Sequence, residues 1–344
     1  MTSTELIKKL FLAVAKEDIE EFYNLAEEYI NMEKRKKHTI VAKELKEALY
    51  HKPIKGKKVG HNIYKNNMPI PRDTENGFPL LDIMEYSVEW DDIVLDDENK
   101  YTLSQIIKEY NDSEILATYN LKPKNKILLC GKPGTGKTYT AKLISSILQI
   151  PLVYIRFDSI LSSFLGETAT NLRKIFEFIS NGTWIVLFDE FDIIAKNRDD
   201  HYEHGEVKRV VNNLLQMIDS YEGDSIIIAA TNHQHILDPA IWRRFDEVLY
   251  YDTPDELRRM ELMKLFLQPI KKKNLNLDKF IKETEGFSPS DLKLMCVDAI
   301  KQVIINDKQY LTDEDLKYSL DRFIKRMKIK AIEGELDNWV DMNI

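Results

Sequence analysis

The segment 131–138 combines glycine, lysine and threonine at a spacing that suits phosphate binding. It has the sequence Gly-Lys-Pro-Gly-Thr-Gly-Lys-Thr, between an apolar run at 127–130 and a helical pattern. Glycines let the backbone bend so that its N–H groups converge on a phosphate, and the next helix adds its positive end. We expect Lys137 to reach the β- and γ-phosphates and Thr138 to hold Mg²⁺. The predicted nucleotide-binding residues of this segment are Pro133, Gly134, Thr135, Gly136, Lys137, Thr138 and Tyr139.

Two acidic residues follow the apolar run at 184–188, Asp189 and Glu190. In a phosphate-transferring site, a carboxylate at the end of a strand can hold Mg²⁺ through water, which is the role that we predict for Asp189. Glu190 is predicted to be the general base that polarises the attacking water. Asp192 has two interpretations, a support for this site or a solvated acid.

Polar residues also follow the next apolar run. Asn232 is predicted to orient the attacking water, whereas the alternative is an ordinary turn. The adjacent Arg243 and Arg244 suit an arginine finger that acts on a neighbouring copy of the chain. A planar guanidinium stabilises the charge spread over the γ-phosphate, typically by a factor of about 10³ to 10⁵. The alternative is a surface ion pair with Asp246 or Glu247.

The elements that must position these residues predict an α/β fold with a parallel, five-stranded sheet. The apolar runs expected to form strands lie at 127–130, 152–157, 184–188, 226–230 and 248–251. Helical patterns separate them, as in a parallel sheet covered on both faces. The predicted domains are a helical docking domain at 1–50, a linker at 51–85, a large α/β domain at 86–253, a helical lid at 254–328 and a tail at 329–344.

Residues 86–325 resemble the ATPase module of the AAA family, within the AAA+ superfamily. The resemblance rests on Val-Glu-Trp-Asp-Asp-Ile at 88–93, the phosphate loop, the Asp-Glu and Thr-Asn pairs, and Leu-Asp-Pro-Ala to Arg-Arg-Phe-Asp at 237–246. The segment 286–292, Gly-Phe-Ser-Pro-Ser-Asp-Leu, is similar to the family's G-x-S-G-A-D-L but differs at Pro289 and Ser290. The resemblance implies ATP and Mg²⁺ as cofactors, with Asp92 and Ile93 in the adenine pocket.

A loop with Phe164, Leu165 and Gly166 follows the second apolar run. In AAA unfoldases, an aromatic-apolar-glycine loop at this place lines a central pore and grips an extended polypeptide. The resemblance therefore implies that Phe164 contacts the substrate and that Gly166 lets the loop move. The alternative is that Phe164 and Leu165 pack at the start of a helix.

Composition restricts the partners and the location. The 344 residues carry a formal net charge of −8, which disfavours broad electrostatic binding to nucleic acid. Cys130 and Cys296 cannot form a disulfide framework and indicate a reducing compartment, so we predict a cytoplasmic protein. No apolar run approaches the roughly 18 residues that a membrane span needs, and we predict no membrane partner.

Three functions are compatible with these features. The first is ATP hydrolysis coupled to remodelling or unfolding of a protein partner by a ring, expected to be a hexamer, with residues 1–85 and the pore loop as contacts. The second is an ATP-gated regulatory module. For this alternative, residues 1–85 resemble, by helical pattern and charge, small bacterial AAA ATPases that are found with subtilisin-like proteases in phage defence. The third is a DNA-transaction ATPase, which the acidic charge disfavours.

Overall fold

The computed structural model describes residues 69–74, 77–157, 160, 165–192, 204–233 and 239–332, together with isolated helical residues between 8 and 32. The chain divides into two compact units, Met1–Lys58 and Val59–Ile344. In the first unit the described residues are helical, and Leu25 and Ile30 are buried. Helical structure at these positions agrees with the predicted helical pattern.

A six-stranded mixed sheet organises the second unit. Its strands are β1 (Leu81–Met84), β2 (Lys126–Gly131), β3 (Leu152–Ile155), β4 (Ile185–Phe188), β5 (Ile226–Thr231) and β6 (Glu247–Tyr251). Their order across the sheet is β1-β3-β4-β5-β2-β6. All neighbours run parallel except β1, which is antiparallel to β3. The carboxyl ends of β2, β4 and β5 therefore meet at one edge, where a parallel sheet binds its ligands.

Strand β1 corrects the prediction of five parallel strands. It lies at the end of the segment 51–85, which the sequence predicted as a linker. Leu80 and Leu81 are fully buried, whereas Met84 at the other end of the strand is 37% exposed. The strand is only four residues long and pairs with a strand far along the chain, so it leaves little local pattern. The predicted linker therefore ends before this strand.

Helices cover both faces of the sheet, because alternate residues of each strand point to opposite faces. The helices of the large domain are α1 (Asp97–Asn111), α2 (Ser113–Thr118), α3 (Lys137–Leu148), α4 (Leu165–Ser180), α5 (His204–Asp219) and α6 (Pro239–Trp242). Buried residues of α1 and α3 pack on one face, and those of α4 and α5 pack on the other. This packing holds α3, which directly follows the phosphate loop, against the sheet.

The remaining helices form a domain with its own core. They are α7 (Glu256–Phe266), α8 (Asp278–Ile281), α9 (Pro289–Ile305) and α10 (Asp313–Ile332). Helix α9 begins with a capping box, in which Ser288 and Asp291 each accept a backbone N–H from the other. Helix α10 begins after Thr312 and extends to Ile332, beyond the predicted lid boundary at 328. In the described part of the chain, no helix is long and apolar enough to cross a membrane.

Candidate nucleotide site

The loop between β2 and α3 depends on glycine at two positions. Gly131 has a φ of +140°, and a Cβ there would lie 2.0 Å from the carbonyl oxygen of Tyr251 on β6. Gly136 has a φ of +108° and is the residue that precedes the first turn of α3. Both conformations are open to glycine and strained for other residues. The sequence of this loop therefore suits both its turn and its close approach to β6.

Lys137 is held inside the loop by backbone carbonyls. Its Nζ donates to the carbonyl oxygens of Gly131 and Lys132, at 2.7 Å each. The residue is 6% exposed, and burial lowers the pKa of Lys137 to about 8, although Asp189 opposes this effect. An ammonium group has three N–H donors, so one is left to bind a phosphate.

Thr138 and Asp189 bring two oxygen ligands together. The Thr138 hydroxyl donates to a carboxylate oxygen of Asp189 at 2.7 Å. This pair fits Mg²⁺, which prefers oxygen and takes other ligands from water and substrate phosphates. No group of three or more His, Cys, Asp or Glu side chains that could hold a metal occurs among the described residues.

Glu190 and Asn232 face the same cavity from neighbouring strand ends. Glu190 is exposed, has a φ of +52°, and donates its backbone N–H to the Asp189 carboxylate at 3.0 Å. Asn232 comes directly after β5, and both residues line the cavity. A carboxylate and an amide in these places can contact one water beside a bound γ-phosphate.

Asp192 is a support of this site and not a solvated acid. It is 4% exposed. Its carboxylate accepts the Thr231 hydroxyl at 3.1 Å and the Asn232 backbone N–H at 3.3 Å. The sequence left two interpretations open for Asp192, a support for the site or a solvated acid. Its burial and its hydrogen bonds favour the support.

The cavity has a volume of about 390 Å³, within the range of sites for small molecules and cofactors. It contains the predicted loop, acid, amide and adenine-pocket residues: Asp92, Ile93, Pro133, Gly134, Thr135, Gly136, Lys137, Thr138, Tyr139, Asp189, Glu190 and Asn232. Residues from four separate stretches of the chain thus converge on one space.

The sequence missed several residues of the cavity wall. They are Val94, Lys142, Leu262, Phe266 and Lys293. Pro289 and Ser290 also line the cavity, and they belong to the segment 286–292 that resembles the family's lid motif. Lys142 follows Thr138 by one helical turn, so the helical period was a signal for it. Leu262, Phe266 and Lys293 of the lid carry no such signal, since only tertiary packing brings them to the cavity. One contact between the lid and the loop is the Ser290 N–H, which donates to the Gly134 carbonyl oxygen at 3.1 Å.

Comparison with known proteins gives the family. The model of the ATPase family associated with various cellular activities (AAA) matches residues 127–253, and the AAA+ lid domain model matches residues 274–318. An uncharacterised AAA family ATPase of Sinorhizobium fredii is 35% identical over 324 residues, which cover 93% of this chain and 95% of the relative. The chain belongs to the AAA family of ATPases. It hydrolyses ATP to ADP and phosphate.

The AAA ATPase is also similar to two proteasome-activating nucleotidases. That of Methanocaldococcus jannaschii is 33% identical over 228 residues, which are 64% of this chain and 53% of the relative. That of Saccharolobus solfataricus is 32% identical over 235 residues, which are 66% of this chain and 60% of the relative. The AAA ATPase thus spans between half and two thirds of these two relatives.

The two arginines of the AAA ATPase do not line the cavity of their own chain. Arg243 is exposed, whereas the Nε of Arg244 lies 2.9 Å from a carboxylate oxygen of Asp219. Arg244 thus forms an ion pair, and the partner that the structure gives is Asp219. Asp246 accepts two backbone N–H groups just before β2, and Glu247 pairs with a lysine there. The finger role of the arginines stays a prediction.

The predicted pore loop falls mostly outside the described residues. Phe164 is not among them. Leu165 and Gly166 are the first residues of α4, and their side chains are not described. A helix that starts at Leu165 is compatible with both interpretations of the loop, so the pore contact also stays a prediction.

Proposed function

We propose that the AAA ATPase remodels or unfolds a protein partner as a hexameric ring, with each catalytic site shared by two neighbouring subunits. The observation that carries this proposal is the position of Arg243, which is exposed and lies outside the cavity of its own chain. Among the described residues that line the cavity, none is an arginine. A guanidinium from a neighbouring subunit would supply the missing positive charge.

Within one subunit, the side chains of the cavity divide the work of hydrolysis. Lys137 would bind the β- and γ-phosphates, while Thr138 and Asp189 would hold Mg²⁺. When bound, Mg²⁺ neutralises the charge that develops on the phosphate oxygens. Glu190 takes a proton from the attacking water, and Asn232 orients that water toward the γ-phosphate.

Adenine is expected beside Asp92 and Ile93. These two residues line the cavity, as do Leu262 and Phe266 from the lid. These residues come from two domains of the chain, so a bound nucleotide would contact both. Hydrolysis can therefore change the position of the lid, which is a route from chemistry to movement.

The partner is proposed to be an extended polypeptide that passes through the ring. Phe164 would grip its side chains, and residues 1–85 would recruit it. The similarity to proteasome-activating nucleotidases supports a protein as substrate. The net charge of −8 makes nucleic acid a poor candidate for the same role.

Mass measurement of Glu190→Gln with ATP tests the assembly, because this variant should bind ATP without consuming it. We expect a complex with the mass of six chains. A persistent monomer at micromolar concentration with saturating ATP would contradict the shared site.

The threading of a polypeptide through the ring is tested by the rate at which the ATPase unfolds a fluorescent protein that carries an unstructured tail. We expect Phe164→Ala to hydrolyse ATP normally but to lose most of the unfolding rate. Phe78→Ala is a matched control, because Phe78 is a phenylalanine that is 59% exposed and lies outside the cavity wall. Equal unfolding rates for both variants would contradict the role of Phe164 in threading.

A second candidate function is an ATP-gated switch for a partner such as a subtilisin-like protease. It is favoured by the separate compact unit Met1–Lys58, which is suited to docking. A chain that begins at Val59 should then hydrolyse ATP but lose control of the partner. Phe164→Ala separates the two candidates, since a switch does not need the pore contact.

A further inference from the structure

The end of β5 and the segment that follows β4 lie beyond the hydrogen-bonded ladder that joins these two strands. Strand β4 ends at Phe188, and the last pair between the two strands is Phe188 with Ala229. Glu190 and Asn232 both lie past this point. On its other side β5 pairs with β2 as far as Cys130 with Thr231, so that ladder also ends before Asn232. The two residues on which the proposed water attack depends therefore lie outside both ladders.

Asp192 joins the segment after β4 to the end of β5 by hydrogen bonds of its side chain. One of its carboxylate oxygens accepts both the Thr231 hydroxyl, at 3.1 Å, and the Asn232 N–H, at 3.3 Å. The Thr231 hydroxyl in turn accepts the N–H of His233 at 3.1 Å. Two consecutive backbone N–H groups after β5 are thus held by side chains, and this fixes the direction in which the Asn232 side chain leaves the backbone.

The same segment holds Glu190. The N–H of Phe191 donates to the carbonyl oxygen of Ala230 at 2.8 Å, so the two residues after Glu190 are both anchored on β5. Before it, the Asp189 carboxylate accepts the Glu190 N–H. Glu190 itself has a φ of +52°, a conformation that a residue with a side chain keeps only when its surroundings hold it.

We propose that Asp192 is a positioning residue for ATP hydrolysis, which sets the separation of Glu190 and Asn232 by binding the end of β5. Asp192 is buried and is not among the described residues that line the cavity, so it acts through the other two. The inference rests on the proposed roles of Glu190 and Asn232, and it is independent of what the ATPase remodels.

Steady-state hydrolysis and MgATP binding by Asp192 variants of the full chain test this inference. Asp192→Ala removes the acceptor, and we expect kcat to fall at least about tenfold, since small displacements of reacting groups cost this much or more. The Kd for MgATP should change less than about threefold, because Lys137 and Thr138 keep their hydrogen bonds. Asp192→Asn keeps a carbonyl oxygen as acceptor and should restore most of kcat.

Thr231→Val is a milder variant that keeps the test decisive if Asp192→Ala does not fold. It removes one of the two bonds to the carboxylate and should lower kcat, whereas Thr231→Ser keeps the hydroxyl and should not. Wild-type kcat in both Asp192→Ala and Thr231→Val would overturn the inference, and so would an Asp192→Asn variant as slow as Asp192→Ala. A folded Asp192→Ala variant that loses MgATP binding would overturn it as well.

Asn232→Ala distinguishes the inference from the function on which it rests. If this variant is slow while the Asp192 and Thr231 variants are fast, the positioning role fails and the role of Asn232 stands. If Asn232→Ala itself hydrolyses ATP at the wild-type rate, the proposed role of Asn232 fails first.

Discussion

At the scale of single residues, Glu190 is the group whose chemistry the proposed hydrolysis needs most. Its side chain is exposed to the cavity, and its backbone is held by neighbours on both sides. Glutamine has nearly the same size and can adopt the same backbone position, but it does not accept a proton. The substitution therefore separates chemistry from binding.

We expect Glu190→Gln to lower kcat by about 10² or more, which is the usual contribution of a general base. The Kd for MgATP should remain within about threefold of wild type. Glu114→Gln on the exposed surface of α2 is the control and should leave both values unchanged. A Glu190→Gln variant with nearly normal kcat would assign the proton transfer to another group.

The lowered pKa of Lys137 predicts that ATP binding depends on pH. Burial lowers its pKa to about 8 in the free protein, and phosphates nearby would raise the pKa again. At pH 9 only about a tenth of the free protein carries this proton, so ATP binding takes up a proton and weakens as pH rises above 8. At pH 7 the lysine is already mostly charged, and the uptake is small.

Calorimetry of MgATP binding in two buffers of different ionisation enthalpy measures this uptake. We expect it to approach one proton at pH 9. Lys132→Met is the control, because Lys132 belongs to the same loop but is 61% exposed at its side chain. Binding at pH 9 without proton uptake would contradict a buried, neutral Lys137.

At the scale of elements, the strands inside the sheet and the edge strand β6 were predictable, and the edge strand β1 was not. Strands β2, β4 and β5 are buried on both faces, which gives continuous apolar runs such as Ile226–Thr231. Strand β1 presents only Leu81 as a buried side chain before the exposed Met84, so it looks like a linker. Strands β2, β4 and β5 were predictable because their burial is continuous in sequence, whereas β6 was predicted although its buried and exposed residues alternate.

Strand β1 should contribute to stability through Leu81. We expect Leu81→Ala to lower the free energy of unfolding by about 2–4 kcal/mol, the usual cost of emptying a filled core position. Met84→Ala, at the exposed end of the same strand, should cost less than about 1 kcal/mol. Urea denaturation of the full chain measures both, and equal losses would contradict the burial difference between the two ends.

The contact between the phosphate loop and the lid is a second property of the elements. A Cβ at Gly134 would lie 2.8 Å from the Ser288 hydroxyl oxygen and 2.9 Å from the Ser290 Cβ, so the lid could not keep its position. We expect Gly134→Ala to weaken ATP binding at least about tenfold, because the cavity uses both partners of this contact. Hydrogen exchange at the Ser290 amide should also become faster.

Gly77→Ala is the matched control for this prediction. Gly77 has a φ of +67°, close to the +76° of Gly134, but a Cβ there meets nothing within 4 Å. Both alanines carry the backbone strain of a positive φ, and only the one at position 134 meets the lid. If the two variants bind ATP equally well, the contact with the lid has no part in binding.

At the scale of the whole molecule, the candidate site contains two kinds of residues. Some are adjacent in the sequence, and others come together only when the chain folds. The loop 131–138 was readable because its residues are adjacent. The lid residues Leu262 and Phe266 could not be predicted, since apolar residues at such positions are usual in the core of any helical domain. The pairing of Arg244 with Asp219 was missed for the same reason, because the two residues lie on different elements.

The central claim is that one subunit completes the catalytic site of the next, and mixing two inactive variants tests it most directly. Glu190→Gln lacks the base but keeps the exposed Arg243, and Arg243→Ala keeps a complete cavity but lacks the finger. Each variant alone should hydrolyse ATP at least about 10² more slowly than wild type. In mixed rings, Arg243 of the first variant can serve the cavity of the second. The account predicts that the mixture recovers a substantial fraction of wild-type hydrolysis, and a mixture no faster than its parts, although the chains co-assemble, would contradict it.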